Sequence, residues 1–119
     1  SLDKVVEVER MRMPFYVEDF VREILGRVTN GDPNYYLLRK EKGKVYEVNI
    51  VVKDRKRVKV IAEVKWRGEV TRRDLEGMYV LGSSYENAKK IVVVPSKSVV
   101  KGDLGEVEVV TPEDLLNGM

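Results

Sequence analysis

The sequence predicts an α/β domain in which a mixed sheet is flanked by helices, in the order α-β-β-β-α-β-β. Three observations predict it. Apolar residues recur at helical spacing after Pro14, two stretches between Val45 and Trp66 alternate polar with apolar residues, and a short continuous apolar run from Ile91 to Pro95 follows a second helical pattern. A strand that returns through a helix needs a crossover connection, so the sheet is expected to be mixed.

The elements follow in order. Residues 1–13 mix charge with valine and methionine without a clear period and are expected to form an N-terminal arm, a short strand or loose segment, ahead of a core at about 14–110. From Pro14, suited to a first helical turn, Phe15, Val17, Phe20, Val21, Ile24, Leu25 and Val28 mark an apolar face, with Glu18 and Asp19 near the helix start and an end expected near Asn30-Gly31. Asp32-Pro33-Asn34 signals a turn, and Tyr35 to Leu38 a strand broken at Gly43. Val45 to Lys53 and Val58 to Trp66 are the next two strands, with Tyr46, Val48, Ile50 and Val52 on one apolar face and Val58, Val60, Ala62, Val64 and Trp66 on the other strand's. Thr71 is a good N-cap for a helix through Leu75, Met78, Tyr79 and Leu81, ending by Gly82 or Tyr85. Ile91 to Pro95 reads as a buried strand, Glu106 to Val110 as the last one, and Thr111-Pro112-Glu113 as the start of a closing helical turn. Trp66 and Tyr79 are expected in the core.

Length and composition bound the function. At 119 residues, 43% hydrophobic and 35% charged, residues 1–119 fit a single domain. With no cysteine and no histidine the chain has no disulfide, no ordinary zinc set and no Ser-His or Cys-His nucleophile. Its apolar runs fall well short of the roughly 20 residues needed to cross a bilayer, so a soluble, cytoplasmic protein without membrane contact is expected. The net charge of only +2 conceals a local excess: between Lys53 and Arg73 nine basic residues stand against three acidic ones. Arg55, Lys56, Arg57, Arg67, Arg72 and Arg73 are therefore the expected contacts for a phosphate backbone around a nearby site.

That site is written in two pairs. Glu63 and Lys65 lie two apart on one strand, and Glu47 and Asn49 two apart on its neighbour, so a regular strand would display each pair on one face. A carboxylate, further oxygen donors and a lysine gathered on adjacent strands suit a hard divalent cation and phosphoester hydrolysis. Asn49 can stand opposite Glu63 only if paired positions sum to 112, which demands an odd loop, such as Arg55 to Arg57 or Asp54 to Val58; a four-residue loop at Asp54 to Arg57 would instead set Asn49 opposite Ala62 and remove the shared site.

The order of Glu18 in the first helix, Glu47-Val48-Asn49 in the second strand and Glu63-Val64-Lys65 in the third resembles the PD-(D/E)XK nuclease superfamily over about Pro14 to Pro95. The phrases EVKWRG and TRRDLEGMYVLG are similar to archaeal members, among them Holliday-junction resolvases, Mrr-type endonucleases and nuclease-like domains at the C-termini of archaeal ATPases. The resemblance implies a restriction endonuclease-like core and a Mg2+- or Mn2+-dependent endonuclease acting on DNA. It implies metal ligation by Glu63, the Val64 carbonyl, the residue at 49 and Glu18, with Lys65 as the catalytic lysine. The family's second-strand aspartate is replaced here by Asn49, an uncharged ligand, and Glu47 is the substitute acid within reach. A catalytically inactive DNA-binding or partner-docking module of the same fold is the alternative, and a homodimer or an attached ATPase is the partner the resemblance suggests besides DNA.

Overall fold

A computed structural model describes residues 15–118; the expected N-terminal arm lies outside them. The chain runs α1 (Phe15–Thr29), β1 (Asp32–Glu41), β2 (Lys44–Asp54), β3 (Arg57–Val64), a 3-10 turn (Arg72–Leu75) leading into α2 (Glu76–Gly82), β4 (Lys89–Val93), a second 3-10 turn (Lys97–Val99), β5 (Glu108–Val110) and α3 (Pro112–Leu116). The five strands form one sheet in sequence order, with β1, β2 and β3 antiparallel and β3, β4 and β5 parallel. The expected α/β class, mixed sheet and element order are all present.

Both faces of the sheet are covered. On one, Val17, Val21 and Leu25 of α1, spaced by four, pack with Leu115 of α3 against Ile50, Val52, Val60, Ala62, Ile91 and Val93. On the other, Leu75, Met78 and Leu81 pack with Val70, Val99, Leu104 and Val107 against Val48, Val51, Ile61 and Val92. Each fully buried aliphatic side chain contributes about 1.5–3 kcal/mol relative to exposure. Val28, expected on the buried stripe of α1, is exposed instead, in the last turn of the helix. It ends at Asn30, whose φ of 53° is left-handed, and the Gly31 N–H donates to the Gly26 carbonyl at 3.0 Å, closing the last turn.

Two β-bulges decide which residues share a face. Along β1 and β2 the pairing passes from Tyr35↔Val51 to Leu37↔Val48, which inserts one extra residue of β2 at Asn49 and Ile50. The apolar face expected from Tyr46 through Val52 is therefore split: Tyr46 and Val48 join the α2 side, Ile50 and Val52 the α1 side. In β3 the extra residue is Lys59, since Val52↔Val60 is followed by Lys53↔Val58. Val58 consequently faces the α2 side, while Val60, Ala62, Val64 and Trp66 stay together on the α1 side. The bulged Lys59 donates to the Thr29 carbonyl at 2.8 Å, a cation at the negative end of α1.

The β2–β3 turn contains two residues, Arg55 and Lys56, between Asp54↔Arg57, so the odd loop expected from the sequence is not there. The Lys59 bulge supplies the missing residue, and beyond it the pairs Val52↔Val60, Val51↔Ile61 and Ile50↔Ala62 all sum to 112. The ladder ends there, so the expected Asn49–Glu63 pair is not part of it. Among the described residues no helix is long and apolar enough to cross a membrane.

Candidate active site

The β2–β3 ladder stops at Ile50↔Ala62, whereas β3 remains paired with β4 through Glu63↔Val92 and Val64↔Val93, and the Lys65 N–H donates to the Val93 carbonyl at 2.9 Å. β2 thus leaves β3 at the point where Glu63 emerges. The bulge at Asn49 and Ile50 helps to turn β2 away, as an inserted residue bends the strand that carries it. At the fork the expected common face is lost: Glu63, between Ala62 and Val64 of the α1 side, faces the α2 side, whereas Glu47, between Tyr46 and Val48 of the α2 side, alternates to the α1 side.

Among the described residues Glu63 is the one charged residue that is buried, at 7% exposure. Its carboxylate lies 3.2 Å from the Lys65 ammonium, which is itself mostly covered. Burial pushes the Glu63 pKa up from the usual carboxylate range, Lys65 opposes that rise, Glu47 adds to it, and Arg67 draws it down. Glu47 and Arg67 are thus close enough for their charges to be felt at Glu63. A buried carboxylate whose ionised form is disfavoured, with a lysine as direct partner, is one for which a divalent cation would provide compensating charge.

Glu47 is exposed, but its backbone is fixed: a Cβ built on Gly77 of α2 would come 2.6 Å from the Glu47 carbonyl, so only glycine lets α2 sit this close to β2. The Lys44–Glu76 ion pair at 2.7 Å adds a second tie between the same elements. Asn49 is exposed, and its carbonyl accepts from the Arg22 guanidinium at 3.2 Å. Arg22 also lies 3.7 Å from Glu18 and 3.2 Å from Asp19. Glu18 therefore meets the β2 bulge through Arg22, and its own partner is that cation. The sequence reading did not single out Arg22, although its i,i+4 spacing from Glu18 was a signal for the pair. Among the described residues no three acidic side chains gather closely enough to hold a metal ion between them.

The basic residues are divided by the fold. Arg67 stays near the fork, paired with Asp74 at 3.2 Å, and Asp74 in turn accepts from the Thr71 N–H. Arg72 stacks 4.8 Å over the Tyr79 ring and borders a cavity of about 180 Å³ together with Met78, Lys90 and Gly105. Burial raises the pKa of Tyr79. Its ring packs against the core, as Trp66 does on the opposite face, in agreement with the sequence reading. Arg73 is exposed. Arg55, Lys56 and Arg57 sit at the other end of β3, six residues from Glu63 and so roughly 20 Å away along the strand. The expectation that the whole basic excess surrounds the site is corrected: charges adjacent in sequence to Lys53 point away from the fork at the opposite sheet end. Besides Arg67, the basic residues toward the fork's end belong to the tip of the β1–β2 hairpin, Arg39, Lys40, Lys42 and Lys44, which the sequence reading passed over as a strand break at Gly43.

A family model described as a domain of unknown function (DUF4143) matches residues 15–114. No curated protein and no solved structure matches the chain.

Proposed function

We propose for this chain, which belongs to the DUF4143 family, the role of a nuclease-like domain with a restriction endonuclease-like core that binds DNA and hydrolyses its phosphodiester bonds with a divalent metal. The observation that carries the reading is the buried Glu63 held 3.2 Å from Lys65 at the fork of β2 and β3, one residue beyond the last β2–β3 pair, Ile50↔Ala62. Mg2+ or Mn2+ would be held by Glu63, the Val64 carbonyl and the Asn49 amide oxygen, with Glu47 as the second carboxylate and Glu18 in support. Oxygen donors of this kind fit a hard cation. When bound, the metal supplies Lewis acidity and charge neutralisation at the scissile phosphate.

The residues of the chain have separable tasks in this scheme. Lys65 places its ammonium beside the reacting phosphate, where it orients the attacking water and offsets the charge that develops in the transition state. Glu63 holds Lys65 in position while it is metal-free, so the same ion pair preorganises both groups. Arg22 holds the β2 bulge in place through the Asn49 carbonyl and thereby sets the width of the fork. Arg67 contributes a further positive charge on the approach to it.

A second reading is favoured by one residue: Asn49 carries no charge where a nuclease of this kind has an aspartate, which leaves a DNA-binding module that does not cut. The two are separated by incubating single-stranded, duplex and branched DNAs with the native chain, Lys65→Ala and Asn49→Asp in Mn2+. Cleavage by the native chain that Lys65→Ala abolishes supports the nuclease; cleavage seen only with Asn49→Asp supports the binding module on an intact scaffold, and silence in all three removes hydrolysis from the account.

A further inference from the structure

Resting on the DNA-binding reading above, we propose that the β1–β2 hairpin, with Arg39, Lys40 and Lys42 at its end, is the ribbon that enters a groove of duplex DNA and brings the backbone to the Glu63 fork. The hairpin is placed for it. The β1–β2 ladder continues to Glu41↔Lys44, six residues of β2 past the last β2–β3 pair at Ile50; α2 covers one face of its first half through Leu37, Tyr46 and Val48, and the last three pairs, roughly 10 Å, carry the tip. Every residue from Leu38 to Val45 is exposed, and the space around Gly43 is open. A two-stranded antiparallel ribbon is one of the shapes the major groove, about 12 Å wide, admits.

The charge is arranged to match. Arg39, Lys40, Lys42 and Lys44 stand against Glu41 alone, and Lys44, in the last pair before the turn, is tied to Glu76 of α2 at 2.7 Å, which steadies the tip against that helix. Arg39, Lys40 and Lys42 form no ion pair among the described residues. The tip itself is built at a cost. Lys42 has a φ of 51° and Gly43 a φ of 75°, the left-handed pair of a two-residue hairpin turn whose first place ordinarily goes to asparagine, aspartate or glycine. A lysine there accepts backbone strain that puts a cation at the apex, as Arg55 does at the β2–β3 turn. Tyr36, Leu38 and Val45, all exposed, lie behind Lys40 and offer apolar contact to sugars and thymine methyls.

The test is fluorescence anisotropy with a labelled duplex, and a single strand of the same length, across a series of salt concentrations. Four proteins are compared: the native chain, Arg39→Ala/Lys40→Ala/Lys42→Ala, the opposite-end triple Arg55→Ala/Lys56→Ala/Arg57→Ala, and Lys42→Asn. The ribbon triple should bind duplex at least about tenfold more weakly than the native chain, with a salt slope shallower by about 2–3, because three phosphate contacts are gone. The opposite-end triple should stay within about threefold of the native chain, since phosphate contacts alone supply this term and it makes few. Lys42→Asn should melt higher yet bind more weakly, which separates lost contact from lost folding. Native binding that the ribbon triple retains in full, an equal loss in the opposite-end triple, or tighter binding of the single strand overturns the ribbon and leaves DNA binding standing. No binding by the native chain at any salt overturns the DNA reading itself.

Discussion

The two hairpins of this sheet are built alike and placed in opposite surroundings. Each closes through two residues, each tip is basic, and each holds a cation at positive φ, Lys42 at 51° in one and Arg55 at 57° in the other. The β2–β3 tip folds back beside α1, where Lys59 caps the carbonyl end of the helix and lies 3.7 Å from Asp54. The β1–β2 tip lies beyond the fork that holds the buried Glu63 and its partner Lys65. Local charge in a sequence therefore says little about function until the strand direction is known, because a residue at each end of one strand is separated by the strand's whole length.

That contrast can be broken at several points. The largest effect belongs to Lys65→Ala, which should lower Mn2+-dependent cleavage by at least about a hundredfold, the scale of losing a preorganised electrostatic group. Arg55→Ala should leave the rate near native in the same assay. Gly77→Val should cost about 1–3 kcal/mol in urea unfolding, because its side chain would meet the Glu47 carbonyl that a bare Cβ already approaches to 2.6 Å. Lys59→Ala, at the opposite end, should cost about 0.5–1.5 kcal/mol through its lost bond to Thr29 and leave cleavage alone.

Glu63 gives the contrast a pH dependence. Its carboxyl pKa is raised above the ordinary 4.5, so between that value and the folded pKa the folded protein holds a proton that the unfolded chain has released. Stability from this group is thus highest below the window and declines as pH rises through it. Glu63→Gln has no such proton to lose. In metal-free buffer the native chain should therefore lose ground against Glu63→Gln between pH 4 and pH 8, measured as urea midpoints; a constant gap across that range would show that Glu63 is not strained by burial.

Much of this was legible in the sequence. The 3.6-residue period of α1, the Thr71 and Thr111 capping positions with acids three residues on, and the apolar run at Ile91 each signalled their element locally. The register summing to 112 was legible as a requirement, but not the device that produces it between Val52 and Ile50, nor the end of the ladder before Asn49. A β-bulge leaves no simple trace in a pattern of alternating residues, and here two bulges do the placing: Lys59 sets the register, and the insertion at Asn49 and Ile50 splits the apolar face and opens the fork. The bond from Arg22 to a backbone carbonyl 27 residues away was likewise hidden, as it depends on how α1 crosses the sheet. The ribbon's charges were in plain view, and only its direction relative to the fork gave them meaning.

The central claim is that Glu63 is a metal ligand held ready by Lys65, and a thermal-unfolding titration with Mn2+ at pH 7.5 or so, comparing the native chain with Glu63→Gln, tests it without requiring cleavage. A ligand at tenfold excess over its dissociation constant stabilises the folded state by about 1.4 kcal/mol. The account predicts a melting temperature that climbs with Mn2+ in the native chain and stays flat in Glu63→Gln; a flat native chain, or an equal climb in both, would contradict it.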